Sequence, residues 1–185
     1  MGKVGATLVE RSGLQVEANF ESTYVIECKT NELMRLDNFP YQGYYRYFIT
    51  LRCHSGKRHF VDNSLISTIL KILRQTAEQR SFYVWAYCFM PDHLHLLIEG
   101  KTENADMRKF ISVFKQKTAF WFHRRYNLRL WQPRYYDRVL RKDEVTLIVV
   151  RYILENPVRK GMVSDYLQHP YSGSLELKDI RELFS

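Results

Sequence analysis

Two histidines one residue apart, His93 and His95, stand in an apolar run that follows a Pro91-Asp92 break. Side chains alternate faces along a strand. In a strand, His93 and His95 therefore point one way, and Leu94 and Leu96 the other. Two imidazoles side by side with apolar residues behind them make half of a metal site. Residues 144–156 offer the other half if they form a helix. Tyr152 and Asn156 are four apart and share a helix face, with Arg151, Arg159 and Lys160 close by in sequence. Asn brings a neutral oxygen, which suits a hard cation such as Mg²⁺ or Mn²⁺ alongside imidazole. Tyr152 then stands within reach as a nucleophile. Its phenol, with an ordinary pKa of about 10, is almost wholly protonated at neutral pH. A bound cation offsets that weakness by drawing charge from phosphorus and from the departing oxygen. The plainer readings are hydrogen-bonded structural histidines and a core tyrosine, one of thirteen in the chain.

The elements around these residues follow from periodicity and breakers. Residues 44–53 are aromatic and β-branched and read as a strand. His54 to Lys57 is a turn. Asn63 can cap a helix running to about Arg80, its apolar face formed by Leu65, Ile66, Ile69, Leu70, Ile72 and Leu73. Phe82–Met90 and His93–Glu99 form an antiparallel hairpin across Pro91-Asp92. Residues 105–126 read as a long helix with an apolar stripe through Met107, Phe110, Ile111, Phe114 and Phe120-Trp121. Tyr135 to Arg141 is a fourth strand, and Lys142 to Glu155 another helix, stopped before Pro157. Residues 158–185 read as a turn, a short helix and a tail.

The predicted fold is α+β, a ferredoxin-like antiparallel sheet in βαββαβ order with helices on one face and an added C-terminal helix. Residues 1–34 are read as an N-terminal extension, 35–173 as the working domain and 174–185 as a tail.

The chain has 185 residues and a formal charge of +8. Residues 101–160 hold fifteen Lys and Arg against six acids, while the first hundred residues hold eleven against ten. A positive field concentrated after the histidines, with aromatics interleaved, points to a phosphate-backbone partner. Cys28, Cys53 and Cys88 form no CxxC pair and read as reduced thiols. No apolar stretch approaches the roughly 18 residues of a membrane span. No signal-like core opens the chain. The expectation is a cytoplasmic protein with no membrane partner.

Three ordered segments carry a resemblance: Met90-Pro91-Asp92-His93-Leu94-His95-Leu96-Leu97, Trp131 to Arg141, and Tyr152-Ile153-Leu154-Glu155-Asn156-Pro157-Val158-Arg159-Lys160-Gly161. Together they resemble the IS200-type single-tyrosine transposases, and among these the branch associated with repetitive extragenic palindromes (REP). The resemblance covers about residues 35–173. It implies that His93 and His95 are the histidines of the histidine–apolar–histidine (HUH) motif, that Tyr152 is the nucleophile and that Asn156 is the third metal ligand. It implies Mg²⁺ or Mn²⁺ as cofactor and single-stranded or hairpin DNA as partner. The reaction would be nicking and joining through a 5′-phosphotyrosine link, by a monomer or a homodimer.

The basic residues then gain a task. Lys115, Lys117, Arg124 and Arg125 on the long helix, and Arg134, Arg138 and Arg141 on the fourth strand, could hold hairpin phosphates. Trp131, beside Gln132, could stack on an unpaired base, although core packing is the plainer reading of it. Two rivals remain. A nucleic-acid-binding module on the same sheet needs no paired histidines. A metal hydrolase wants more acids than Asp92 and Glu99, and Asp92 faces away from His93 if the strand includes it.

Overall fold

The computed structural model describes residues 39–140, 145–177 and 180. The expected N-terminal extension and the stretch 141–144, with Arg141, lie outside the described residues. In chain order the elements are β1 (Arg46–Arg52), α1 (Asn63–Arg80), β2 (Phe82–Met90), β3 (His93–Gly100), α2 (Met107–Tyr126), β4 (Tyr136–Val139), α3 (Thr146–Leu154), α4 (Asn156–Arg159) and β5 (Ser172–Gly173). The strands form one antiparallel sheet in the order β4-β1-β3-β2-β5. The first four strands and two helices follow the expected βαββαβ order. β5 was not anticipated. It is only two residues long, too short for any alternation to show, and it pairs with Tyr87 and Cys88 on the edge of β2.

Strand alternation divides the sheet into two faces. Tyr47, Ile49 and Leu51 of β1, with Leu94, Leu96 and Ile98 of β3, pack against Leu65, Ile66, Ile69 and Leu73 of α1 and Phe110, Ile111 and Phe114 of α2. On the opposite face Phe48, Ala86, Cys88, Met90 and Leu97 meet Val149, Val150, Ile153 and Leu154 of α3. The added helix therefore covers the face that carries His93 and His95.

Local chemistry sets the helix ends. Asp62, not Asn63, caps α1: its carboxylate accepts from Ser64 N at 2.8 Å. Asp106 caps α2 by accepting from Lys109 N at 2.9 Å. The hairpin turn is held by the rest of the chain, with Cys53 N donating to Asp92 O and Phe60 N to Pro91 O. At Gly100 a Cβ would lie 1.9 Å from the Gly43 carbonyl oxygen, so only glycine lets the end of β3 approach that loop. Cys53 and Cys88 are buried free thiols. Among the described residues no helix is long and apolar enough to cross a membrane.

Candidate active site

β3 places His93 and His95 on one face, as alternation requires, and β1 brings a partner to each. Thr50 lies opposite His95, and Arg52 opposite His93. Thr50 Oγ1 is 2.9 Å from His95 Nδ1. Asp92 Oδ1 is 2.7 Å from His93 Nδ1. The two Nε2 atoms then face each other at 3.0 Å. β3 begins at His93, so the condition under which Asp92 would face away from it is not met. Asp92 belongs to the turn before β3, where strict alternation does not hold, so its carboxylate accepts from the neighbouring ring.

Burial pushes His95 down to about 3, with the neighbouring His93, Arg159 and Arg52 adding to the shift. Burial also lowers His93. The hydrogen bond and charge of Asp92 work against that shift, while Arg52 and Lys160 reinforce it. Both rings are neutral at neutral pH. Two arrangements of one proton then satisfy the contacts. In one, Thr50 donates to His95 Nδ1 and His95 Nε2–H donates to His93 Nε2. In the other, Thr50 accepts from Nδ1–H and both Nε2 lone pairs face a common point.

The second arrangement is a chelating pair, and a divalent ion fits it. Two adjacent ligands of an octahedral ion, each about 2.1 Å from the metal, lie about 3.0 Å apart. Asp92 and Thr50 occupy the far nitrogens, as the outer partners of metal-bound histidines do. Among the described residues no group of three His, Cys, Asp or Glu side chains could hold a metal. A third donor among the described residues would then be a neutral side chain.

Asn156 has the required chemistry. Pro157 has no N–H to offer the carbonyl of Ile153, four residues earlier, so α3 ends there. The Asn156 amide nitrogen donates instead, to Ile153 O at 3.2 Å and Tyr152 O at 3.1 Å. Both partners are acceptors, so nitrogen must face them and Oδ1 must turn away. Asn156 is 8% exposed. It follows Ile153 and Leu154, which share a cluster with Cys88 and Met90, the cross-strand neighbours of His95 and His93.

Tyr152 sits half-buried across one phenylalanine from the histidines. The Phe48 ring stacks on His95 at 5.5 Å and meets Tyr152 edge-on at 6.2 Å. Arg159 lies over the Tyr152 ring at 4.0 Å and donates to its carbonyl oxygen. Tyr136 also meets Phe48, at 6.2 Å. Tyr135 lies by Met107 and Lys115, against the other core.

The residues predicted to contact DNA divide. Lys115 Nζ donates to Gln132 O and Pro133 O at 2.7 and 2.9 Å, so it ties the loop before β4 to α2. Burial lowers its pKa. Lys117 donates to Gln79 Oε1. Arg124, Arg125 and Arg134 are exposed. Gln132 is half-buried and its N–H donates to Arg52 O. Arg138 lies opposite Phe48, on the histidine face.

Trp131 as a base-stacking platform is corrected: it is 7% exposed, between Phe60 and Phe114, with Nε1 donating to Thr118 Oγ1. Trp131→Ala is expected to cost about 3–5 kcal/mol of stability by thermal or urea unfolding. Trp131→Phe keeps a ring in the core and should lose less.

Nothing local in the sequence singles out Phe48, Thr50 or Arg52. They join the site because β1 pairs with β3 in one register. Arg159 and Lys160 were visible only as charges near the tyrosine.

A family model described as "Transposase IS200 like" matches residues 42–156, more than half of the chain, beginning just before β1 and ending on Asn156. The chain belongs to the IS200-like transposase family. The transposase is 29% identical over 139 residues to a Haemophilus influenzae protein placed by name among the REP-associated tyrosine transposases, covering 68% of this chain and 77% of that one. It is 25% identical over 114 residues to the REP-associated tyrosine transposase of Escherichia coli, covering 60% and 67%. A solved REP-associated tyrosine transposase bound to a REP hairpin shares the fold, with a TM-score of 0.63 at 20% identity over 77% of this chain and 81% of that chain.

Proposed function

We propose that this transposase nicks and rejoins single-stranded DNA at hairpins, with Tyr152 as nucleophile and His93, His95 and Asn156 as the holders of one divalent ion, Mg²⁺ or Mn²⁺. The observation that carries the reading is the chelating separation of the two Nε2 atoms, with Tyr152 of the same chain across Phe48. Hairpin DNA as substrate follows the solved relative that holds a REP hairpin. The working domain is residues 35–173.

When bound, the ion would supply charge stabilisation at the scissile phosphate. The chain's own residues do the rest. Asp92 and Thr50 orient the two imidazoles. Arg52 and Lys160 put positive charge beside His93, which draws in a phosphodiester. The Tyr152 phenol loses its proton and its oxygen bonds to phosphorus as the bond from phosphorus to the 3′-oxygen breaks. That oxygen takes up a proton and leaves as a 3′-OH. The phosphotyrosine link stores the bond energy, so a second 3′-OH can reverse the step without ATP. Because Tyr152 meets the same Phe48 on which its own chain's His95 stacks, one chain can supply the whole site.

The test is incubation with single-stranded DNA carrying palindromes from the flanks of the gene, with Mg²⁺ or Mn²⁺, read on denaturing gels with and without protease. A metal-dependent, protein-linked 5′ end is the expected product. Hairpin binding should also weaken steeply with added salt, because several cations meet phosphates. Tight binding across such hairpins with no covalent product in either metal would leave a binding module on the same fold.

A further inference from the structure

We infer that Arg159 is the positioning residue of the Tyr152 nucleophile, an inference that rests on the function proposed above. Two contacts join this one side chain to the tyrosine. Its guanidinium lies over the Tyr152 ring at 4.0 Å, and one terminal nitrogen donates to the Tyr152 carbonyl oxygen. The ring and the main chain of one residue are thus gripped together, which restricts the swing of the phenol about its side-chain torsions.

The alternative partner, Glu155, is already taken up more closely by another residue. Arg151 Nε lies 2.7 Å from Glu155 Oε1, whereas Arg159 stands 3.6 Å from Oε2. A surface pair of that length contributes little. The tighter engagement of Arg159 is with Tyr152.

The grip spans a break in the helix. Tyr152 lies in the last turn of α3, and Pro157 removes a helical donor just beyond it. Arg159 reaches back seven residues across that break to the Tyr152 carbonyl. Only a planar guanidinium can lie flat on a ring while donating from its edge. A lysine ammonium carries the same charge but not both contacts.

The test has two arms. In the first, the Arg159 side-chain N–H signal is followed by NMR. The ring should shift it upfield, and Tyr152→Leu should return it to the ordinary position. An unshifted wild-type signal overturns the grip. In the second, single-turnover formation of protein-linked hairpin DNA is measured with Mn²⁺ for Arg159→Gln and Arg159→Lys. Misplacing a reacting group by about 1 Å costs about 100-fold in rate. Both variants should lose about that much, with hairpin affinity, Mn²⁺ affinity and melting temperature close to wild type. Rescue by Arg159→Lys would show that charge alone suffices and overturn the inference. So would a rate loss explained by weaker DNA binding. Wild-type protein that forms no adduct overturns the proposed function and this inference with it. An active wild type with unimpaired variants overturns this inference alone.

Discussion

Tyr152→Phe is expected to abolish covalent capture of DNA while leaving fold and hairpin affinity intact. The substitution keeps the ring that meets Phe48 and lies under Arg159, and it removes only the phenol oxygen. With no oxygen to attack phosphorus, no adduct should form at this position; deleting a nucleophile from an intact site costs about 10⁶-fold. Denaturing gels read the adduct, and a binding titration at fixed salt reads affinity. The rival is Tyr136, whose ring meets Phe48 at the same 6.2 Å distance. A Tyr152→Phe protein that still forms adduct, and loses it only when Tyr136 is also replaced, would move the nucleophile to β4. Tyr135 is no comparable rival, because it packs by Met107 and Lys115.

His95→Ala is expected to remove Mn²⁺ binding, measured by calorimetry, and cleavage with it. His95 is 7% exposed, and its Nε2 is one of the two that converge. One remaining imidazole and one amide make a weak site for a hard cation. The loss should be about 100-fold or more in metal affinity, above the outer-partner range. Thr50→Val grades the same argument. It keeps the shape of the side chain and removes the hydroxyl that meets His95 Nδ1 at 2.9 Å. Losing an outer partner of this kind costs about 10–100-fold in metal affinity or activity. Thr50→Val should therefore fall between wild type and His95→Ala. If Thr50→Val binds Mn²⁺ like wild type, Thr50 does not set the His95 ring.

Much of this arrangement was legible in the sequence because it is local. β2 and the His-Leu-His strand are bounded by Pro91-Asp92, and α1 and α2 carry long apolar stripes. Tyr152 and Asn156 declare their relation by a spacing of four. What stayed hidden depends on partners far away in the chain. Trp131 beside Gln, Pro and Arg reads as core or as a base-stacking platform, with core the plainer of the two. Its burial comes from a bridge to Cys53 and from Phe60 and Phe114. Thr50 is one threonine among several until a register sets it opposite His95. The direction of Asp92 depends on where β3 begins, which local pattern does not fix. Lys115 looks like a phosphate contact, yet its ammonium is held by two carbonyl oxygens.

One oxygen atom ties three of these residues into a single unit of inheritance. The carbonyl of Tyr152 accepts from the Asn156 amide and from Arg159. A change at either position is felt at the other and at the tyrosine between them, so their mutational effects will not add. A double-mutant cycle over Asn156 and Arg159 should return a large coupling energy, whereas Asn156 paired with distant Arg124 should return none.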